Sequence, residues 1–167
     1  MHRRTLLLIA IAGLATSLVG KSPHAEEHND PALIKSMADA KITLQQGLAA
    51  AAQQGQPISA KFELDDGKLQ LSVYTAKDGK FSEVIVDHVS GKVTKSEPIT
   101  EGDDLTAAKA QSAAMAKAKS DLKSAVDKSA SGARAISVTP ALKGGRASAS
   151  ITVLKGQQFQ TAEQSLE

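Results

Sequence analysis

Asp87, His88, Ser90 and Lys92 lie within six residues of one another in the stretch VDHVSGKV. A carboxylate, an imidazole and a hydroxyl are the parts of a nucleophilic relay, in which an acid orients a histidine and the histidine takes the serine proton. Their order works against that chemistry. In an extended strand the neighbours Asp87 and His88 point to opposite faces, so the acid cannot hold the ring. No Gly-x-Ser-x-Gly elbow presents Ser90. The same residue types make a turn instead. Asp87 would accept backbone N–H bonds, Gly91 would take a positive φ, and Lys92-Val93 would resume an extended segment. We read Asp87, Ser90, Gly91 and Lys92 as structural and assign no catalytic residue.

A second cluster, HAEEHND, holds His24, Glu26, Glu27, His28 and Asp30. Histidines four apart can share a metal ion on a helix. Pro23 and Pro31 flank the group, however, and a processing site falls inside it, so it reads as a tail and no metal or cofactor is assigned. The chain has no cysteine and four histidines, which removes disulfides and thiol chemistry and disfavours zinc. A single tyrosine and no tryptophan leave no stacking platform for bases or sugars.

The first residues carry an export signal. His2, Arg3 and Arg4 precede an uncharged apolar run from Leu6 to Gly20, shorter than the roughly 20 apolar residues of a membrane-spanning helix. Cleavage after Ala25 makes residues 1–25 the signal peptide; the alternative is an uncleaved N-terminal anchor, which would attach the chain to the membrane. Cleavage leaves 17 basic and 18 acidic side chains, without the positive surplus that nucleic-acid binding needs. The remaining charge is uneven. Residues 24–104 sum to −6 and residues 105–167 to +5, which either solvates two outer faces, draws the halves together, or offers a basic helix to an acidic partner or an anionic membrane, the last disfavoured because the lysines do not share one helical face.

Laying Asp30–Phe81 over Ala108–Phe159 at a constant offset of 78 requires no gap. Met37/Met115, Leu44/Leu122, Ile58/Ile136, Leu64/Leu142, Gly67/Gly145 and Phe81/Phe159 coincide, as an internal repeat would require. Each copy reads as helix followed by three strands. Asp30-Pro31 starts a helix, and Thr43 with Gln46 makes a capping box for a second one, Leu44 to Gln54. Ile58, Ala60, Phe62 and Leu64 alternate with Lys61, Glu63 and Asp65, then Asp66-Gly67 and Asp78-Gly79 give tight hairpin turns. The second copy opens with one long helix, Leu105 to Ser129, and Pro140 suggests an edge position for its first strand. The fold class is therefore α+β: two helix-plus-three-stranded antiparallel meander units after an N-terminal signal helix. Unit one spans 30–95 and unit two 105–167. The acidic run TKSEPITEGDD supplies a linker at 96–104 between them. Whether the units share one core stays open.

The succession KITLQQGLAAAA, KFELDDGKLQLSVYTAKDGKFSEVIV and DHVSGKV resembles the PepSY domain family, including its closing Asp-x-x-Ser-Gly-Lys-Val. The second copy matches through Phe159. Ser165 and Leu166 stand where Asp87 and His88 stand in the first, so the second copy is degenerate. The resemblance implies an exported bacterial protein, periplasmic or secreted, that binds proteins and inhibits or modulates a peptidase in the cell envelope. Its partner would be an envelope peptidase or another exported protein. There is no His-Glu-x-x-His and no room for a catalytic domain, so an enzyme is not expected. The alternative is a small-ligand or metal-binding periplasmic module.

Overall fold

The computed structural model describes residues 30–167; the expected signal peptide, residues 1–25, and Glu26, Glu27 and His28 lie outside the described residues. The described chain is α+β, with four helices and seven strands in one antiparallel sheet. Helix α1 (Pro31–Ser36) starts where Asp30 Oδ1 accepts the N–H groups of Ala32 and Leu33. Helix α2 (Leu44–Ala51) opens on a capping box, Gln46 N–H donating to the Thr43 hydroxyl and Thr43 N–H to Gln46 Oε1. Strands β1 (Gln56–Asp65), β2 (Lys68–Lys77) and β3 (Lys80–Val86) form a meander. Asp66 and Gly67 (φ 47° and 75°) and Asp78 and Gly79 (φ 51° and 74°) supply the left-handed turns that let these strands twist together.

Residues 96–104 are not a linker. Strand β4 (Val93–Ile99) pairs along β3 from Val86↔Val93 to Phe81↔Ile99, and α3 (Gly102–Met115) begins three residues later. The composition is polar because β4 is an edge strand with its side chains exposed, and an edge strand needs no apolar face. The first half thus has four strands, not three. The long helix expected from Leu105 to Ser129 is also two helices, α3 and α4 (Leu122–Ala130). Two backbone donors that a continuous helix would use internally, those of Lys119 and Ser120, go to the Leu166 carbonyl at 2.7 and 3.0 Å. Asp121 Oδ1 then accepts Ser124 N–H at 2.7 Å and starts α4. Helix α2 ends at Ala51, short of Gln54.

Strands β5 (Arg134–Lys143), β6 (Arg146–Lys155) and β7 (Gln158–Ser165) complete the sheet, whose order is β4-β3-β2-β1-β5-β6-β7. The halves meet at β1 and β5 through two residue pairs, Ala60↔Val138 and Lys61↔Ser137. Ala60 thus meets the residue 78 positions on, as happens where a local two-fold axis passes between equivalent antiparallel strands. Other features recur at the same offset. The β1–β2 register shifts at Ile58 and the β5–β6 register at Ile136, and both bulged isoleucines are fully buried. Strand β5 is interior, so Pro140 does not mark an edge strand. It lies two residues beyond the last β1 pair, where its missing N–H interrupts no ladder on that side.

Helices α2 and α4 touch each other and cover one face of the sheet. Beneath them Ile58, Ala60, Phe62, Leu71, Val73, Val84, Ile136, Val138 and Ile151 of the sheet form one continuous core with Val126 of α4. Leu142 is an exception, left exposed near the β5–β6 turn. Gly47 of α2 packs directly on Leu71, so closely that an added Cβ would run into Leu71 Cδ2. Across the sheet, Ser59 and Tyr74 alternate with the residues under α2 and face the other way. Helix α3 lies on that side, where the Ser59 hydroxyl donates to Gln111 Oε1 at 2.8 Å.

A shared core predicts one cooperative unfolding event. Phe62→Ala should cost about 3–5 kcal/mol, and calorimetry should show a single transition whose calorimetric and van't Hoff enthalpies agree. Two resolved transitions would mean that the halves fold independently.

Candidate functional site

The 87–92 segment is a closed turn. Asp87 N–H donates to the Lys92 carbonyl and Gly91 N–H to the Asp87 carbonyl, both at 2.8 Å. Asp87 Oδ1 accepts Ser90 N–H at 2.6 Å. Lys92 N–H reaches the Ser90 hydroxyl at 3.4 Å. The Ser90 hydroxyl and then its backbone N–H hold the Asp87 carboxyl below the ordinary carboxylate range. Gly91 sits at φ 72°, the left-handed region in which a branched side chain is strained. Asp87 and Ser90 are thereby engaged with local backbone, and neither makes a hydrogen bond to the His88 ring.

His88 acts through its backbone. Its carbonyl accepts the N–H groups of Lys41 and Ile42, at 2.8 and 3.2 Å, which ties the approach to α2 onto the end of β3. The Leu166 carbonyl does the same for Lys119 and Ser120, 78 positions on, although leucine replaces histidine. A backbone acceptor tolerates any side chain, so the contact persists where the sequence match has faded. The His88 ring keeps Nδ1 buried without a hydrogen-bond partner. From the other half, Arg134 Nη2 donates to the carbonyls of Ala40 and Ile42 at 2.7 and 3.1 Å. The short segment before α2 is therefore held by β3 on one side and by β5 on the other.

A denser polar cluster lies on the sheet face that carries α3. Lys61 Nζ and Glu63 Oε2 are 2.7 Å apart, and Ser72 Oγ donates to Glu63 Oε1 at 2.7 Å. Gln70 Nε2 donates to Ser72 Oγ at 3.0 Å. Tyr74 lies with its ring centroid 5.9 Å from Lys61 Nζ, and its hydroxyl donates to Glu83 Oε1 at 3.4 Å. Burial, followed by the negative charges of Glu83, Glu63 and Asp104, pushes the Tyr74 hydroxyl well above its ordinary range. It therefore stays a hydrogen-bond donor at any physiological pH and is no base. Glu63 is occupied by a cation and a hydroxyl. The polar groups of the cluster satisfy one another.

The alternation along β1 sets Lys61, Glu63 and Asp65 on one face but does not by itself join them to Tyr74 and Ser72. The signal was available in the Asp66-Gly67 turn. A two-residue hairpin fixes every opposite pair by counting outward, which yields Lys61↔Ser72 and Glu63↔Gln70. Asp66, Gly67, Asp78 and Gly79 themselves are turn residues at the ends of the hairpins that carry this cluster. Among the described residues no three His, Asp or Glu side chains are grouped to hold a metal ion. No helix among them is long and apolar enough to cross a membrane. No protein-family model, curated protein or solved structure matches the chain.

Two measurements check this account. His88→Ala should leave the melting temperature nearly unchanged, because the carbonyl remains, whereas Gly91→Val should cost about 1–2 kcal/mol from backbone strain. The added Cβ meets Ile42 only at ordinary contact, 3.5 Å, so the loss is conformational rather than steric. Acid titration tests the carboxylates. Backbone and hydroxyl bonds from Ser90 and Ser124, and the Lys123 ammonium, lower Asp87, Asp121 and Asp127 in the folded state. Their stabilisation is thus complete above the unfolded carboxylate pKa of about 4 and is lost as pH falls through the lower folded values. Asp121→Asn should keep the α4 cap while flattening the acid limb of the stability profile measured by urea unfolding.

Proposed function

We propose that this chain is an exported, non-enzymatic pair of PepSY-like units that works by binding another protein, and that its specific activity is to restrain or modulate a peptidase of the cell envelope. The observation that carries this reading is the recurrence of the unit-closing contact. Two N–H groups before the second helix of each half meet the carbonyl of His88 in one half and of Leu166 in the other. The backbone carbonyl of His88 thus acts as a latch that recurs at Leu166, whatever side chain stands there. Repetition of a latch supports a scaffold with surfaces, since chemistry would need only one site. The self-satisfied cluster around Tyr74 supports the same reading.

One observation favours a small ligand instead. An open cavity of about 640 Å³ lies between α1 and the β6–β7 turn, lined by Pro31, Ile34, Met37, Arg134 and Leu154. Its size falls within the range of small-molecule sites.

The full chain, tagged and used as bait in envelope extract, should recover a defined protein partner and slow proteolysis of a casein substrate by that extract. Recovery and inhibition should survive the paired substitution His88→Ala and Ser90→Ala. Repeated recovery of no protein, with proteolysis unchanged, would sink the reading. A melting temperature raised by a metabolite or divalent-cation panel, with no protein captured, would install the small-ligand alternative.

A further inference from the structure

Arg134, the first residue of β5, stands where the first half has the neutral Gln56. Its Nη2 donates to the carbonyls of Ala40 and Ile42 at 2.7 and 3.1 Å, which fixes the guanidinium against the opposite half. Both acceptors are neutral. None of the ion pairs among the described residues includes Arg134. Its Nε is buried and bonded to nothing. A guanidinium carries five N–H donors and a permanent charge, and a buried donor without an acceptor is costly. An uncharged amide could hold two carbonyls, so the charge calls for a further partner.

The same guanidinium lines the open cavity of about 640 Å³ between α1 and the β6–β7 turn. Pro31, Ile34 and Met37, from α1 and its C-cap, make one apolar wall, and Leu154 of β6 makes another. Leu154 pairs with Arg134 across β5 and β6, so apolar surface and charge lie side by side. The exposed Lys35 adds a second cation, and no Asp or Glu stands among the described lining residues. Nothing in the repeat demands this combination. At the offset of 78, Ile34 is matched by Ser112, Leu154 by Ala76 and Arg134 by Gln56, so the corresponding place at the other end of the fold is small, polar and uncharged.

We propose that this cavity binds an apolar carboxylate, a small molecule with one negative charge on a hydrocarbon body, whose carboxylate pairs with Arg134 while its chain lies against Pro31, Ile34, Met37 and Leu154. The two kinds of surface exclude simpler ligands. A bare phosphate or acetate would answer the charge and leave the apolar walls wet. A neutral or cationic amphiphile would cover the walls and leave the guanidinium without a counter-ion. A planar carboxylate matches a planar guanidinium, and Lys35 adds to the attraction at the mouth. Because α1 belongs to one half and Arg134 and Leu154 to the other, the bound molecule bridges the halves and stabilises the whole chain. The inference rests on the small-ligand reading of this cavity and names the chemistry of the ligand; protein capture neither requires it nor opposes it.

The probe is decanoate, added to the full chain at neutral pH below its micellar concentration and followed by titration calorimetry and amide NMR. It should bind with shifts concentrated at Ile34, Met37 and Leu154, and should raise the melting temperature. Decanol, which keeps the hydrocarbon and lacks the charge, should bind about tenfold more weakly, the difference that one charge-assisted hydrogen bond makes. Arg134→Gln copies Gln56 and keeps an amide donor for the Ala40 and Ile42 carbonyls; it should remove the preference, so that decanoate and decanol bind alike. Lys35→Gln changes only an exposed side chain and guards against misfolding of the Arg134 variant. It should weaken decanoate by about twofold and leave decanol unchanged. Decanol or phosphate bound as tightly as decanoate by the unsubstituted chain overturns the ligand class. Shifts confined to other surfaces, or no binding at millimolar decanoate, overturn the site. If decanoate fails while a compound without a carboxylate raises the melting temperature, the proposed chemistry falls and the small-ligand reading survives.

Discussion

Two residue pairs join the halves of this sheet, and most of the structure depends on them. Extending the β1–β5 register would set Phe62 against the bulged Ile136 on one side and the bulged Ile58 against Pro140 on the other. A bulge breaks the ladder and sharpens the local twist, and proline has no N–H to offer, so the seam stops at both ends. What the seam lacks in hydrogen bonds it recovers in apolar burial. It brings Ile58, Ala60, Ile136 and Val138 under α2 and α4, and closes a core that a lone unit of about 60 residues would bury poorly. Ion pairing contributes nothing visible to this union. All five ion pairs among the described residues lie within one half, despite the −6 and +5 balances.

Polar groups follow from the same layout. One sheet face is committed to α2 and α4, so Lys61, Glu63, Ser72, Tyr74 and Glu83 are forced onto the other, where cross-strand neighbours satisfy one another. The fully buried Ser72 hydroxyl is bonded to both Glu63 and Gln70, which a buried polar group requires. Helix α3 crosses this face with Ala108 and Ala114 buried, small residues that allow close approach. Ser59 bonded to Gln111 and Arg134 bonded to Ala40 and Ile42 then link helix segments of one half to strands of the other.

Much of the local structure was legible because short-range chemistry decides it. The Thr43/Gln46 capping box, the Asp-Gly turns and the alternation along β1 each depend on residues a few positions apart. Strand β4 was not legible, because an exposed edge strand has the polarity of a linker and only its pairing with β3 distinguishes it. The α3–α4 break was hidden for a different reason. Its cause is the Leu166 carbonyl, about 45 residues downstream, which takes the N–H groups of Lys119 and Ser120. The polar cluster needed counting across the first hairpin, and the pairing of β1 with β5 needed the whole fold. The repeat offset, by contrast, is visible in sequence and reappears in hydrogen bonds and bulges, even where Leu166 has replaced the His88 type.

The seam also sets an order of events in folding. The hairpins close over two residues, or six between β3 and β4, while Ala60 and Val138 are separated by 78. Loop-closure entropy and contact order both place the local meanders early and the central pairing late. During that interval β1 and β5 are sheet edges, each offering unpaired backbone to any equivalent strand. Because the two strands meet through a local two-fold relation, a β1 from one molecule fits a β5 from another as well as its own. At the concentrations used in refolding, exchange of halves between chains competes directly with closure, and the length of chain between the halves decides which prevails.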